Sequence, residues 1–170
     1  MRRIVVYAAL ITTLLVGGVM GPPEGLASPR LADSEVVGVA EANRGPCTED
    51  RYRVVPAMGL ARVRGKVAAL IRCAVAWRGV PGGATKAIDV ADCESSLWPW
   101  AGTYNLGVFQ HARPYWIERV DWLLRESWFN PQQWDRLHTV PQGAYLARAN
   151  VLVAIRMAHA GGWGPWACAT

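Results

Sequence analysis

Residues 84–110, ATKAIDVADCESSLWPWAGTYNLGVFQ, decide the fold. Three- and four-residue spacing places four side chains on one helical face: Ala87, Val90, Ala91 and Glu94. This pattern predicts a helix from about Ala84 to Ser95, with Thr85 as its candidate cap. After it we expect a loop rich in glycine and aromatic residues, followed by a short hairpin or extended turn over residues 104–110.

Helical spacing continues on both sides of this segment. Upstream, apolar residues recur at helical intervals from Val63 to Trp77, and a stretch rich in glycine and proline then ends the helix. Downstream we predict a helix over residues 114–125, one further turn over residues 131–136, and a last helix from Gln142 to His159. Because helices dominate, the fold class is mainly α or α+β, with a small sheet at most.

The N-terminus has the three parts of a secretory signal. Met1-Arg2-Arg3 precedes an uncharged run of 17 residues from Ile4 to Met20, and the small residues of Gly25-Leu26-Ala27 follow. A membrane anchor is the alternative, but the run is shorter than the ~20 residues that a spanning helix needs. We therefore predict a signal over residues 1–27, an arm or linker over residues 28–58, and one folded domain over residues 59–170.

Composition and charge narrow the class of protein. Hydrophobic types make up 52% of the chain and charged types 18%, which excludes a disordered chain. Removing the signal takes away Arg2, Arg3 and Glu24, leaving 16 basic and 12 acidic side chains and a net charge of +4. This charge favours polyanionic surroundings such as a bacterial cell wall. Basic residues do not cluster with aromatic ones, so we expect no nucleic-acid partner.

Cysteine and histidine positions favour disulfides over metal. An even number of cysteines in an exported chain predicts two disulfides, with three possible pairings among Cys47, Cys73, Cys93 and Cys168. No two of these cysteines have the CxxC spacing of a zinc or redox site, and the three histidines are scattered along the chain. We predict no metal and no cofactor, a monomer, and no stable insertion in a membrane after the signal is removed.

Glu94 is the candidate for chemistry, because it lies on an otherwise apolar face. Burial disfavours the ionised form of a carboxyl, and a carboxylic acid that keeps its proton can protonate a leaving oxygen. The rings of Trp98 and Tyr104 suit sugar faces, and Asn105 and Gln110 offer amide hydrogen bonds. Alternatively, Glu94 reaches solvent from an ordinary helix end and the tryptophans belong to the core.

Three short motifs carry a resemblance to a known family. Cys93-Glu94-Ser95-Ser96-Leu97, followed by Tyr104-Asn105-Leu106-Gly107-Val108-Phe109-Gln110, resembles the lysozyme-like lytic transglycosylases. Ala149-Asn150-Val151 is similar to a segment of the last helix of those enzymes. Gly162-Trp163-Gly164-Pro165-Trp166-Ala167-Cys168 resembles the end of the resuscitation-promoting factor domain, a related module that cuts bacterial cell walls. The resemblance covers about residues 85–170.

The resemblance implies a fold and an activity. It implies a lysozyme-like helical domain that cleaves the MurNAc-β-1,4-GlcNAc bond of peptidoglycan, with Glu94 as the single acid/base and Gln110 beside the substrate. It also implies a disulfide between Cys93 and Cys168, which leaves Cys47 with Cys73. In that family the N-acetyl group of the substrate supports the cationic centre, and the product is a 1,6-anhydro ring or, if water enters, a hydrolysed end.

Other chemistries fit the sequence less well. Most glycosidases use two carboxylates, but Asp89 and Asp92 point away from the face of Glu94, and no other acidic residue is a compelling second partner. The chain lacks the G-x-S-x-G, P-loop and G-x-G-x-x-G motifs. Two non-enzymatic hypotheses remain: a module that binds cell-wall glycan without cutting it, and a secreted interaction protein that presents its tryptophans to another protein.

Overall fold

A computed structural model describes residues 47–129 and 133–169. The predicted signal, residues 28–46 of the predicted arm, and residues 131–132 of the predicted turn lie outside the described residues. Within the described part of the chain, no helix has both the length and the apolar character needed to cross a membrane.

The described chain is mainly helical with one small hairpin, which confirms the predicted fold class. Its helices are α1 Glu49–Tyr52, α2 Leu60–Arg78, α3 Gly83–Ser95, α4 Trp116–Arg125, α5 Trp134–His138 and α6 Ala147–Gly161. Strands β1 (Asn105–Leu106) and β2 (His111–Ala112) pair antiparallel, with Asn105 opposite Ala112 and Leu106 opposite His111. Two 3-10 turns cover Arg113–Tyr115 and Ala167–Ala169.

Helix α6 forms the centre of the core. Its buried residues occupy every side of the helix, as expected for an apolar helix enclosed by other elements. Helices α2 and α4 pack directly on α6, and α3 packs on α2. The buried face of α2 contains the predicted apolar positions Val63, Val67, Leu70, Ile71 and Ala74. Apolar spacing in the sequence therefore located α2 and the face by which it packs.

Two disulfides fix the ends of the described chain to this core. Cys47 pairs with Cys73 of α2, and Cys93 of α3 pairs with Cys168, 75 residues away. These are the pairings that the family resemblance implied. The Lys86 ammonium also donates a hydrogen bond to the carbonyl of Ala169 (2.6 Å), so the end of the described chain is held against α3 at two points.

The last helix is shorter than predicted. It begins at Ala147, because residues 142–145 form turns in which the Tyr145 amide bonds to the carbonyls of Pro141 and Gln142. Gly143 lies so close to the backbone that an added Cβ would be 2.2 Å from the Leu137 carbonyl oxygen. The Ala144 carbonyl accepts the side-chain amide of Asn150 (2.9 Å). Tertiary contacts therefore prevent this apolar stretch from continuing the helix.

The start of α3 also differs from the prediction. Thr85 is not the cap, because the helix already begins at Gly83 and Gly82 precedes it. Gly82 has a φ of 75°, and an added Cβ would lie 2.6 Å from the Cβ of Lys86. Only glycine takes this left-handed conformation without steric cost, so backbone freedom rather than a hydroxyl cap sets the start of the helix.

Candidate active site

Glu94 lies in the last turn of α3, on the predicted face. Ala87, Val90 and Ala91 on that face are fully buried, but Glu94 is only half-buried because it lines an open groove. One carboxylate oxygen, Oε1, accepts the backbone N–H of Cys168 (3.3 Å). The disulfide between Cys93 and Cys168 therefore joins the helix to the segment that holds the carboxylate in place.

Ser95 connects the end of α3 to the loop of the hairpin. Its hydroxyl donates to the carbonyl of Val108 (2.7 Å) and accepts the backbone N–H of Trp98 (3.1 Å). The next two residues, Ser96 and Leu97, have φ values of 54° and 60°, so the chain leaves the helix in a sharp turn. The serine that follows the candidate acid thus fixes both the hairpin and the aromatic loop relative to the helix.

The groove lies where α3, the hairpin, α4, α6 and the C-terminal segment meet. It encloses about 540 Å³ of space open to solvent. The residues that line it are Glu94, Asn105, Gln110, His111, Ala112, Arg119, Met157, Pro165, Trp166 and Ala167. Among these described residues, Glu94 is the only carboxylate and Arg119 is the only lysine or arginine. The groove is therefore polar and open to solvent, and Glu94 is the one carboxylic acid among its described lining residues.

A buried asparagine positions the hairpin that forms one wall of the groove. The Asn150 side chain accepts the Phe109 N–H (2.8 Å) and donates to the carbonyls of Leu106 and Ala144 (both 2.9 Å). Because a buried polar group is costly unless it is paired, these bonds define one seating of the hairpin on α6. Asn150 belongs to one of the motifs that carry the resemblance, and its contacts explain why an asparagine is needed at this place.

Of the five predicted site residues, the groove brings three together. Glu94, Asn105 and Gln110 line it, and the Gln110 amide also donates to the Gly107 carbonyl (2.8 Å). Trp98 and Tyr104 are not among the lining residues. Trp98 is half-buried and packs edge-on against Trp100, with ring centroids 4.9 Å apart, whereas Tyr104 is 64% exposed beside Asn105.

His111 and Arg119 form a pair in the groove that sequence reasoning missed. Burial lowers the pKa of His111 to about 3, so its ring is neutral at ordinary pH. The ring Nε2–H donates to the Asn150 carbonyl (3.0 Å), which leaves Nδ1 to accept a hydrogen bond from Arg119 (3.1 Å). Burial also lowers the pKa of Arg119, but an arginine stays charged at neutral pH. Eight residues separate the two, and only the packing of the hairpin against α4 brings them into contact.

Trp166 completes the groove from the C-terminal side. It is buried, and its indole N–H donates to the Phe109 carbonyl (2.9 Å). The sequence did contain a signal for this residue, because Trp166 lies in the C-terminal motif that resembles the resuscitation-promoting factor domain. That motif predicted a disulfide but not a wall of the site.

A second cavity, which encloses about 750 Å³ of space open to solvent, lies elsewhere on the described chain and contains neither Glu94 nor the hairpin. Its lining includes Glu49, Trp100, Arg136 and Tyr145. Glu49, its one carboxylate among the described residues, forms an ion pair with Arg136 (2.7 Å). Because the ion pair with Arg136 occupies the carboxylate of Glu49, the groove beside Glu94 is the better candidate for catalysis.

Comparisons with protein-family models, with curated proteins and with solved structures find no match to this chain. Within residues 47–129 and 133–169, no group of three histidine, cysteine or acidic side chains is arranged to hold a metal ion.

Proposed function

We propose that this protein cuts the glycan strands of bacterial peptidoglycan at the MurNAc-β-1,4-GlcNAc bond, with Glu94 as the acid and base. One observation carries the proposal: the carboxyl of Glu94 opens into a groove that also presents Asn105 and Gln110. The resemblance of residues 85–170 to lysozyme-like lytic transglycosylases supports the same function. The groove supplies the acid and the polar wall, and the resemblance supplies the substrate.

The reaction begins with proton transfer from Glu94 to the glycosidic oxygen. Since the Cys168 N–H donates to Oε1, we assign the transferred proton to the other carboxyl oxygen, Oε2. A two-carboxylate mechanism needs a second acid across the bond, and no other described lining residue supplies one. The resemblance to the lytic transglycosylases implies that the N-acetyl group of the substrate supports the developing positive charge instead.

The second half of the reaction uses the same carboxylate as a base. Glu94, now ionised, takes a proton from the C6 hydroxyl of the muramic residue, whose oxygen attacks C1 to form a 1,6-anhydro ring. If a water molecule replaces that hydroxyl, Glu94 takes the proton from water and the product is a hydrolysed reducing end. Both routes return the carboxyl to its starting protonation state.

The proposed location is the cell wall or its exterior. Disulfides persist in oxidising compartments outside the cytosol, and both cysteine pairs of the described chain are bonded. We propose a secreted protein that acts as a monomer on glycan strands without a cofactor.

A non-enzymatic glycan-binding module is the second candidate function. It is favoured by the exposed ring of Tyr104, which lies next to Asn105 of the groove and is available to stack on a sugar. Such a module binds to peptidoglycan but releases no fragments from it.

Digestion of purified peptidoglycan separates these functions. Wild type, Glu94→Gln and Asp92→Asn are incubated with peptidoglycan, and soluble muropeptides are analysed by mass. Asp92 is an exposed acid on the same helix, so its variant controls for the loss of one negative charge. We expect anhydro or hydrated fragments from wild type and Asp92→Asn but not from Glu94→Gln. Retention on peptidoglycan with no release by wild type would leave only the binding module.

A further inference from the structure

Arg119 presents a cation to the same groove as Glu94. It lies on α4, is half-buried, and lines the groove near the hairpin. Its guanidinium donates to Nδ1 of His111 (3.1 Å) and lies 5.5 Å from the centre of the Tyr115 ring. These contacts on two sides hold the guanidinium in one place.

This guanidinium forms no ion pair with a described residue, although the exposed carboxylate of Glu118 on the same helix acts to raise its pKa. The ion pairs of the described chain join other side chains, such as Arg136 with Glu49 and Arg156 with Glu126. Removing a cation from water is unfavourable unless an anion or hydrogen-bond acceptors replace the water. Arg119 is partly removed from water, and inside the groove it has gained one neutral acceptor. Glu118 does not line the groove, so the charge of Arg119 is not paired there.

His111 is suited to orient Arg119 without neutralising it. The ring is fully buried and its Nε2–H is engaged by Asn150, so the side that faces Arg119 can only accept a hydrogen bond. A carboxylate in that position would have paired with the arginine and left no charge for a ligand. No other described residue accepts a hydrogen bond from the remaining guanidinium N–H groups, and their planar fork matches a carboxylate.

We propose that Arg119 is a specificity-determining residue that binds a carboxylate of the glycan substrate. This inference rests on the proposed function and extends it: the groove selects carboxylate-bearing muramoyl strands over neutral polymers of N-acetylglucosamine. The carboxylate has two sources. One is the lactyl group of a muramic residue whose stem peptide has been removed, and the other is a carboxylate of the stem peptide itself.

Binding and cleavage are measured with three substrates. These are stem-bearing glycan strands, strands stripped of stem peptides by an amidase, and chitin oligosaccharides, which contain no carboxylate. The proteins are wild type, Arg119→Gln, Arg119→Lys and Arg125→Gln. Arg125 is an exposed arginine on the same helix and serves as the matched control. Affinity is followed by calorimetry, and KM and kcat are measured separately.

Arg119→Gln is expected to weaken the binding of carboxylate-bearing strands roughly 10- to 100-fold, as for the loss of a charge-assisted hydrogen bond. KM rises by a similar factor while kcat changes little, and chitin is unaffected. Arg119→Lys restores part of the affinity, and Arg125→Gln resembles wild type. A loss confined to stripped strands identifies the lactyl carboxylate, and a loss confined to stem-bearing strands identifies the peptide.

Two results overturn the inference. Equal losses on chitin and on carboxylate-bearing strands mean that Arg119 is merely structural, and no loss on any strand means that it does not touch the substrate. Failure of the proposed function is a different result: wild type then cuts none of the three substrates. Binding that still depends on Arg119 and on the carboxylate supports the inference in that case, whereas absence of binding overturns both.

Discussion

Replacement of Asn150 by alanine tests how the groove is held together. Asn150 is fully buried, and its side chain makes three hydrogen bonds, to Leu106, Phe109 and Ala144. The first two partners lie in the hairpin, and the third lies in the turn before α6. Truncation leaves one N–H and two carbonyl groups without these bonds in the protein interior, and the hairpin loses its fixed seating beside Glu94.

The expected loss of stability is large. Each buried polar group that loses its partner costs ~1–3 kcal/mol, so three groups amount to about 3–9 kcal/mol in the free energy of unfolding. A domain of this size has only ~5–15 kcal/mol in total, so the variant unfolds at a much lower urea concentration. Urea unfolding followed by circular dichroism gives the difference.

A matched control keeps this prediction specific. Gln142→Ala removes an exposed side-chain amide, and we expect it to stay within ~0.5 kcal/mol of wild type. If Asn150→Ala also unfolds within ~1 kcal/mol of wild type, the side chain does not hold the hairpin and the reasoning is refuted.

Three further predictions follow from other contacts. Burial lowers the pKa of His111 from 6.5 to about 3. Between these two pH values the unfolded chain takes up a proton on His111 that the folded chain does not. The contribution of His111 to stability is therefore complete above about pH 6.5 and declines as the pH falls towards 3. The decline in the free energy of unfolding is up to about 1.4 kcal/mol per pH unit. Unfolding of wild type and of His111→Gln, measured at a series of pH values, should show a shallower pH dependence in the variant. Equal slopes contradict this prediction. Ser95→Ala loses the bonds to Val108 and Trp98, so it should lower the free energy of unfolding by about 1–2 kcal/mol and also lower the cleavage rate. Ser96→Ala, at an exposed position, should change neither quantity. Identical behaviour of the two variants contradicts the role given to Ser95. Joint replacement of Cys93 and Cys168 by serine should lower stability by about 2–5 kcal/mol in thermal unfolding, and an unchanged midpoint would show that this disulfide does not stabilise the fold.

Local patterns predicted the helices well. Apolar spacing placed α2 and α3 within a few residues of their observed ends, because each buries one continuous face. The same rule placed the start of α6 five residues too early. Ala144 is buried like a helical residue, but its carbonyl is bonded to the Asn150 side chain, and a contact of this kind leaves no periodic signal.

The site was predictable where its residues are close in the sequence. Glu94 ends a helix, and Asn105 and Gln110 belong to the hairpin that Ser95 ties to that helix, so one segment of chain forms most of one wall. Arg119 reaches the groove only through the packing of α4 against the hairpin, and spacing along the chain gives no sign of it. The prediction for Trp98 and Tyr104 rests on residue type alone, which does not reveal the direction of a ring.

The most direct test of the account is the single-turnover rate of cleavage of a defined muramoyl oligosaccharide by wild type and by Glu94→Gln. The enzyme is in excess and saturating, so differences in binding do not enter the rate. General acid catalysis contributes ~100- to 10,000-fold, so we expect Glu94→Gln to cleave at least ~100-fold more slowly while it binds the oligosaccharide as tightly as wild type. Equal rates for the two proteins would contradict the role of Glu94 as the acid that cuts the strand.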